Sequence, residues 1–358
     1  MKLARCVGTV VALAVASVMA APSMATKRAT ECNGKSELCS RKYSNVTFLG
    51  AHNSYALGTM AQVSTNQLVG VNAQLSDGVR ALQIQGHKSS RSDDTANPSG
   101  VLLCHTSCSL GSTPLELYLS NVSDFMNQNP TEVVTLIIAN NDNIDVNDWA
   151  SAFQKNGLDQ IAYKPPSDTV TKDQWPTLQE MIDSKQRLVV FMDYKSDLSR
   201  VNYIIPEFKN VWENPYDQTS GTFNCTPDRY DGDTSQMMYL INHYRDNVDS
   251  IAGQEIKLPA RDKLNVTNSV DSIMRDANSC AKQYNSYPTF VLVDFYNVGN
   301  GSVFAATSGM NNVAYEKKGV TPVPTSTSGA FRLDPTVYTA WMSVLTIGVS
   351  ALLSALLM

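Results

Sequence analysis

The feature that most constrains the fold is a series of short apolar segments that alternate with stretches of helical spacing. Residues 132–139, which include Val-Val-Thr-Leu-Ile-Ile, are rich in β-branched side chains and form the clearest predicted strand. Near-continuous apolar strands separated by helices are typical of a parallel sheet that is covered on both faces. About seven such strands within about 300 residues favour an α/β fold of the TIM-type (β/α) barrel class, irregular in places, over an open doubly wound sheet.

The other predicted elements follow the same alternation along the chain. Further strands are predicted at residues 46–51, 79–86, 100–105, 187–193, 237–242 and 288–294. Helices are predicted at residues 66–76, 114–127, 147–156, 178–184 and 270–283, with a last helix or turn over 301–315. Residues 206–233 are rich in Asn, Asp, Pro, Gly and Tyr, and are therefore predicted to be mostly loop.

The N-terminal end has the pattern of a secretory signal. Lys2 and Arg5 precede an apolar stretch, and Val18-Met-Ala20 is a small-x-small cleavage pattern, so residues 1–20 are predicted to be a signal peptide. An N-terminal segment, residues 21–45, follows it. Within that segment Lys27-Arg28 either marks a second cleavage, which would end a propeptide at residue 28, or is an ordinary pair of surface residues.

The C-terminal end is organised like a signal for a glycosylphosphatidylinositol (GPI) anchor. Residues 317–330 are rich in Ser, Thr and Pro and predict a stalk, Ser328 is the predicted attachment site, and residues 331–358 are a spacer and apolar tail that would be removed. A transmembrane helix is the alternative, but no Lys or Arg follows the tail to fix an orientation. We therefore expect a secreted barrel, residues 46–316, held by a GPI anchor at the outer leaflet of the plasma membrane or at the cell wall.

The cysteines, sequons and charge fit an extracellular protein. Six cysteines remain after the signal peptide, and an even number in an oxidising compartment predicts disulfides. The simplest of the ~15 connectivities gives the pairs Cys32–Cys39, Cys104–Cys108 and Cys225–Cys280. Glycosylation is predicted at the Asn-x-Ser/Thr sequons Asn45, Asn121, Asn224, Asn265 and Asn300. The net charge of −5 without a basic cluster argues against nucleic acid as a partner, and a monomer is expected.

Polar side chains at the carboxyl ends of the predicted strands mark the candidate site. The chain has only 4 histidines, and two of them, His52 and His105, directly end apolar segments. On the second strand Gln83, Gln85 and His87 share one parity and face the same side, where buried amides need polar partners. The remaining supporting candidates are Asn53, Asp193, Lys195 and Asp294. From this pattern alone, a catalytic histidine pair and structurally satisfied histidines are about equally favoured.

Five segments resemble the X domains of phosphatidylinositol-specific phospholipases C. They are Ala51-His-Asn-Ser-Tyr55, Gly78-Val-Arg-Ala-Leu-Gln-Ile-Gln85, Leu103-Cys-His105, Asn129-Pro-Thr-Glu-Val-Val-Thr135 and Phe290-Val-Leu-Val-Asp-Phe295. The secreted or GPI-anchored fungal phospholipase-C-like proteins are the most similar group within this superfamily. The resemblance extends over residues 46–315 and implies a phosphodiesterase barrel with a phospholipid or another phosphodiester as substrate.

The resemblance also implies roles for both histidines. His52 takes the position of the general base that deprotonates a hydroxyl beside the phosphate, and His105 that of the general acid that protonates the leaving oxygen, so that the product is a cyclic phosphodiester. Imidazole suits both tasks because its pKa of ~6.5 lies near working pH. Asp294 either orients an imidazole or serves as a helix cap or loop ion pair. A disulfide between Cys104 and Cys108 would fix the loop of His105, and a redox or metal role is the alternative for these cysteines.

Two departures from the family pattern leave the strength of the activity open. Calcium-dependent relatives place acidic ligands where this chain has Gln83 and Gln85, and neutral amides are poor ligands for Ca²⁺. Calcium-independent relatives place an arginine near the position of Gln85, so His87, Lys88 or Lys195 would have to supply that charge. We therefore expect a phosphodiesterase without metal or cofactor. The alternative is a catalytically weakened cell-surface protein that binds an inositol, lipid headgroup or glycan, and a weaker one is a glycoside hydrolase that uses Asp193 and Asp294.

Overall fold

A curled parallel sheet covered by helices forms the centre of the computed structural model, which describes residues 29–89, 97–105, 107–251, 254–317 and 319–323. The strands are β1 (Phe48–Ala51), β2 (Ala81–Lys88), β3 (Val101–Leu103), β4 (Thr113–Pro114), β5 (Val134–Ala139), β6 (Leu188–Met192), β7 (Ile204–Pro206), β8 (Val211–Glu213), β9 (Met238–Asn242), β10 (Asp246–Ile251), β11 (Gln254–Pro259) and β12 (Phe290–Val293). The helices are α1 (Val71–Asp77), α2 (Leu115–Gln128), α3 (Val146–Lys155), α4 (Leu178–Asp183), α5 (Leu264–Thr267), α6 (Val270–Tyr284) and α7 (Ser302–Met310).

The barrel wall consists of parallel strands in the order β7-β6-β5-β2-β1-β12-β9-β8. The two edge strands, β7 and β8, are consecutive in sequence and are joined by a single 3₁₀ turn, Glu207–Lys209. Among the described residues no ladder of hydrogen bonds joins these edges, so the barrel is open along one seam. The predicted α/β barrel and its irregularity are therefore confirmed.

Strand parity divides the apolar side chains into an inner and an outer layer. Alternate side chains of a strand point to opposite faces. Phe48 of β1 and Phe290 of β12 stack inside the barrel with ring centroids 5.9 Å apart, and Phe191 of β6 completes this layer. The opposite parity faces the covering helices, as in Leu136 and Ile138 of β5. Because aromatic rings fill the lower part of the barrel, a site inside it can lie only near the carboxyl ends of the strands.

Two stretches differ from their prediction. Residues 100–105 do contain a strand, but β3 pairs antiparallel with β2 and β4 and lies outside the barrel wall. His105 therefore reaches the barrel from a side excursion and not from the end of a wall strand. Residues 206–233, predicted to be mostly loop, contain the wall strand β8, and a hairpin of β10 and β11 follows β9 without having been predicted. Strands of three residues are too short to show an alternating pattern.

The structure joins the same three cysteine pairs that the sequence predicts. The Cys225–Cys280 bond ties the loop after β8 to α6, and Cys104–Cys108 closes the turn that carries His105. The predicted signal peptide, the dibasic pair, Ser328 and the removed tail lie outside the described residues. Within the described part of the chain no helix has the length and apolar character needed to cross a bilayer.

The predicted glycosylation sites differ in their exposure. Four of the five asparagines lie exposed on the surface, namely Asn45, Asn224, Asn265 and Asn300. Asn121 is half-buried on α2, and its amide donates a 2.8 Å hydrogen bond to the carbonyl oxygen of Leu117. Attachment of a glycan at each of these residues stays a prediction, and Asn121 is the least accessible of them.

Candidate active site

His52 and Asp294 meet at the carboxyl ends of two neighbouring strands. Ala51 pairs with Val293 in the parallel register of β1 and β12, so the residues that follow them lie side by side. Both continue the inward parity of their strands, and the Nδ1 atom of His52 lies 2.8 Å from Oδ1 of Asp294. The amide of Asn66 donates to the same carboxylate oxygen at 2.9 Å, while Oδ2 of Asp294 is buried without a hydrogen-bond partner among the described residues. The carboxylate is thus held where it orients the imidazole.

Asn53 and Tyr244 fix the rest of the His52 ring. The amide of Asn53 lies 3.2 Å from Nε2 of His52, and the backbone N–H of Asn53 donates to Oε1 of Gln83 at 2.8 Å. Asn53 has a φ of +42°, a left-handed conformation that asparagine tolerates better than most residues. The ring of Tyr244 stacks on the imidazole at a centroid distance of 3.8 Å and an angle of 3°. With Nδ1–H donating to Asp294, the lone pair of Nε2 accepts from the amide of Asn53, and a substrate hydroxyl has to replace that amide before Nε2 can act as a base.

His105 follows β3, which lies outside the barrel wall, and comes near His52 from there. Its pKa is lowered from the usual value by burial and by the charge of His52, while Asp294 and a hydrogen bond with the Ser64 backbone act in the other direction. Its Nδ1 atom is buried without a hydrogen-bond partner in the described part of the chain. The two histidines are therefore close enough for their charges to interact, although they arrive from different parts of the sheet.

Arg261 holds the loop that contacts His105. Its Nη2 atom donates to the carbonyl oxygens of Gln62 at 2.7 Å, Thr65 at 3.2 Å and Val63 at 3.3 Å, on both sides of Ser64. The guanidinium also lies 5.7 Å from the ring centroid of Phe295, which directly follows Asp294. One side chain from the β11–α5 connection therefore links the loop beside His105 to the end of β12.

A polar cavity opens beside His52 at the seam of the barrel. Its wall is formed by the strand ends and by the segment that follows β8. The residues that line it include His52, Gln83, Asp193, Glu207, Glu213, Arg229, Asn242 and Tyr244. We call it the seam cavity. Its lining combines carboxyl groups, one guanidinium and amides with an apolar floor of Ile137 and Leu292.

Carboxyl groups outnumber cations in and around the seam cavity. Burial, and next the charge of Glu213, raise the pKa of Glu207 well above its usual value. Burial raises the pKa of Asp193 to about 6, even though its Oδ1 accepts two backbone N–H groups. Burial and the charge of Asp294 raise the pKa of Asp246, beside His52, to about 7. In all three groups burial favours the uncharged form of the carboxyl group.

Arg229 is the arginine of the seam cavity. It forms an ion pair with Glu213, and its guanidinium lies 5.3 Å from the ring of Phe208 and 4.7 Å from that of Tyr216. Burial lowers its pKa, but Glu213 and Glu207 outweigh that effect and the pKa is raised. The Nε–H is buried and has no partner among the described residues. A ligand in the cavity could accept this hydrogen bond, and Oε1 of Glu207 is similarly unpaired.

The structure brings only some of the predicted supporting residues to His52. Gln83 and Asp193 line the seam cavity, and Gln85 follows Gln83 on the same inward parity of β2. His87 instead pairs with Asp142 at 3.2 Å, outside the seam cavity. Lys195 adopts a left-handed φ of +66° and lines a separate surface cavity. The structure therefore does not place His87 or Lys195 in the cavity beside His52.

Several residues of the site were missed by the sequence analysis. Tyr244 could have been found, because it continues the inward parity of β9 one step beyond Asn242. Asp246 lies two residues further on, in a hairpin that had no recognised pattern. Glu207 and Arg229 had no usable signal, since they lie in the segment that was predicted as loop. Among the described residues no group of three or more His, Cys, Asp and Glu side chains is arranged to hold a metal ion.

Comparison with known proteins identifies the family. The family model PI-PLC X 1 matches residues 38–311. An uncharacterised secreted protein of Arthroderma benhamiae is 39% identical over 80% of this chain, which spans 65% of the length of that relative. A PI-PLC X domain-containing protein 1 of the same fungus is 38% identical over 79% of this chain and 90% of its own length. The phosphatidylinositol-specific phospholipase C of Listeria monocytogenes is similar in structure, with a TM-score of 0.49, 13% identity, and coverage of 77% of this chain and 96% of the other. The chain belongs to the PI-PLC X family.

Proposed function

We propose that the protein is a phosphoric diester hydrolase of the phospholipase C type. The observation that carries this proposal is the His52–Asp294 pair, which lies close enough to a second histidine, His105, for the charge of His52 to lower the pKa of His105. His52 presents Nε2 as a base, and Asp294 is positioned to stabilise the imidazolium that forms when His52 accepts a proton. His105, which is partly exposed, is the acid in this proposal.

The reaction proceeds by intramolecular attack. Nε2 of His52 removes the proton from a substrate hydroxyl beside the phosphodiester, and the resulting oxygen attacks phosphorus. The bond from phosphorus to the leaving oxygen breaks, and this oxygen receives the proton of His105. The products are a cyclic phosphodiester and a free alcohol, such as a diacylglycerol. Each proton transfer contributes about 10²- to 10⁴-fold to the rate.

The seam cavity supports a headgroup that is uncharged apart from the reacting phosphate. Oε1 of Glu207 and the Nε–H of Arg229 are buried without a partner among the described residues, and they offer an acceptor and a donor that suit the hydroxyls of a polyol such as inositol. A headgroup with further phosphates would meet the carboxylates of Asp193 and Glu213, which repel it. We therefore infer that the substrate is an inositol lipid or a similar polyol phosphodiester.

The rival functions have less support. A glycoside hydrolase built on Asp193 and Asp294 is disfavoured, because the first carboxylate accepts two backbone N–H groups and the second is held by His52 and Asn66. A binding protein without activity uses the same cavity and differs only in turnover. Secretion is supported by the relative that is named as a secreted protein. Anchoring by GPI through Ser328 remains a proposal, because that end lies outside the described residues.

The test is an assay of the secreted protein on phosphatidylinositol. We expect ³¹P NMR to detect a cyclic phosphodiester with and without a chelator, and we expect its formation to depend on His52 and His105. Headgroup binding without turnover would instead establish the binding protein. Release of an inorganic phosphate or of a phosphomonoester as the first product would contradict the intramolecular mechanism.

The activity is expected to fall as the pH rises through the pKa of His105, which is lowered from the usual 6.5. His105 must be protonated to act as the acid, and its folded pKa is lowered, so the protonated fraction is lost as the pH rises through that value. A profile of kcat/KM against pH, which reports the free enzyme, measures this limb. A bound phosphate favours the imidazolium, so the limb of kcat should lie at higher pH.

A substrate with p-nitrophenol as the leaving alcohol provides the control for this profile. Its leaving oxygen departs without protonation, so the alkaline limb should disappear while any limb due to Asp193 or Asp246 remains. A limb that persists with this substrate would assign the titration to a group other than His105.

Replacing Cys104 and Cys108 by serine is expected to lower kcat by about 10-fold, because the loop of His105 loses its constraint and small displacements of a catalytic group are costly. The chain-entropy model gives about 2 kcal/mol for this bond and about 4 kcal/mol for Cys225–Cys280, whose sequence separations are 4 and 55. The control variant without Cys225–Cys280 should therefore lose more stability and less activity. Thermal melts and initial rates of both variants measure this, and unchanged turnover without Cys104–Cys108 would contradict it.

A further inference from the structure

A second cavity lies beside His105. It has a volume of about 190 Å³, and it is lined by residues from the loop after β1 and from the excursion that follows β3. We call it the His105 groove, and its principal residues are Tyr55, Leu57, Ser64, Leu103, Leu110 and Thr113. None of the residues that line the seam cavity lines this one, so the two cavities are separate, and each is lined by one of the two histidines.

Each wall of the His105 groove carries an exposed leucine and a hydroxyl group. Leu57 and Leu110 line it although they are 51% and 55% exposed, and Leu103 lies buried beneath them. Single exposed leucines are common on protein surfaces, but two that line the same groove beside a buried imidazole are not explained by that background. Ser64 and Thr113 contribute hydroxyl groups. The groove therefore suits an amphiphilic alcohol.

Both walls are fixed in the absence of a ligand. The Cys104–Cys108 bond is followed by the 3₁₀ turn Cys108–Leu110, and Gly111 has a φ of +128°, which only glycine adopts readily. The opposite wall is held by Arg261 through three backbone carbonyls around Ser64. A groove that is ordered in advance binds a ligand with little loss of conformational entropy.

The two cavities correspond to the two parts of the substrate, the headgroup and the leaving alcohol. In the proposed reaction His52 acts on a hydroxyl of the headgroup, which lies on the side of the seam cavity, and His105 acts on the leaving oxygen. Whatever is attached to the leaving oxygen must therefore lie on the side of His105. We propose that the His105 groove binds the leaving alcohol, namely the glycerol and the first acyl carbons of one lipid molecule. This proposal rests on the proposed function and adds the second half of the substrate site.

The test uses soluble phosphodiesters that share one polyol headgroup and differ in the leaving alcohol, from methyl through butyl and hexyl to octyl, each below its aggregation concentration. Full burial of one methylene favours binding about fourfold, so an open groove is expected to raise kcat/KM about twofold per methylene. The readout is the ratio of kcat/KM for the octyl and methyl esters. We expect Leu110→Ser to lower this ratio at least about fivefold.

Leu117→Ser is the matched control. Leu117 is 57% exposed on α2 and does not line the groove, so the same substitution there should leave both the ratio and the activity unchanged. Leu57→Ser probes the facing wall and should lower the ratio as Leu110→Ser does. Thermal melts establish that each variant is folded. If either Leu110→Ser or Leu57→Ser fails to fold, the other variant still tests the groove.

The outcomes separate this proposal from the proposed function. A ratio near one in the unmodified protein, or an equal ratio in Leu110→Ser, overturns the groove while turnover upholds the phosphodiesterase. A chain-length effect that appears only on lipid vesicles assigns the leucines to membrane adsorption and also overturns it. If no ester is cleaved, the proposed function fails, and calorimetry with the same esters decides the groove. Affinity that rises with chain length and falls in Leu110→Ser then supports it, and affinity independent of chain length overturns it.

Discussion

Replacing His52 by alanine is expected to lower kcat by about 10³-fold or more while the barrel stays folded, because the general base is lost. Asp294→Asn should cost about 10²- to 10⁴-fold, since the amide can donate to Nδ1 and would then leave the proton on Nε2, where the base must have a lone pair. In the unmodified protein Nδ1 lies 2.8 Å from the carboxylate. Initial rates on phosphatidylinositol and thermal melts measure both effects.

His87→Ala is the matched control for His52→Ala. His87 is also a histidine paired with an aspartate, Asp142, at 3.2 Å, but it does not line the seam cavity. Its removal should change kcat by less than about twofold, as is usual for a group that takes no part in proton transfer. Added imidazole should partly restore the His52→Ala variant and have no effect on the control. A His52→Ala variant that retained a tenth of the activity would refute the role of general base.

The part of the site that depends on strand register could be predicted from the sequence. His52 and Asp294 end segments whose apolar pattern identifies them as strands, and parallel strands present their carboxyl ends at one edge of the barrel. The inward parity of Gln83 and Gln85 followed from the two-residue period alone. What the sequence could not supply was the neighbour relation of β1 and β12, because that depends on how the sheet closes.

The rest of the site depends on contacts between segments without periodic patterns. His105 follows an apolar segment that looks like a wall strand, yet β3 is antiparallel, and only the resemblance to a family indicated the pairing of His105 with His52. Arg229 follows β8 by 16 residues of loop-like composition, and its position is fixed by Glu213 and by aromatic neighbours. Such positions follow from side-chain packing and not from local propensity.

Strand β2 carries amides and no charged side chain at the positions that face the site, Gln83 and Gln85. The resemblance implies acidic ligands or an arginine where this chain has amides, and the sequence left His87, Lys88 and Lys195 as candidates to supply that charge. None of the three lines the seam cavity, whereas Arg229 does, on the wall opposite β2 in the strand order. We therefore propose that positive charge in this site comes from the seam between β7 and β8. Arg229 then has two separable roles, one in holding the seam and one in contacting the substrate.

Arg229→Gln is expected to reduce kcat/KM about 100-fold, on the scale of one lost charged contact to the substrate. It should also lower the free energy of unfolding by about 3 kcal/mol, because Glu213 is left buried without its partner. Arg200→Gln is the control at an exposed ion pair with Asp145, and it should change neither quantity appreciably. Denaturant unfolding and initial rates measure the two effects.

The double variant Arg229→Gln with Glu213→Gln separates the two roles of Arg229. Two neutral amides can hydrogen-bond to each other, so most of the lost stability should return. If Arg229 contacts the substrate, kcat/KM should stay low in the double variant even though the seam is stable again. Recovery of both the free energy of unfolding and kcat/KM would show that Arg229 has a structural role only. His105 and backbone N–H groups would then have to stabilise the negative charge of the reacting phosphate. In the double variant, recovered stability together with a low kcat/KM would therefore show that the substrate binds at the seam between β7 and β8.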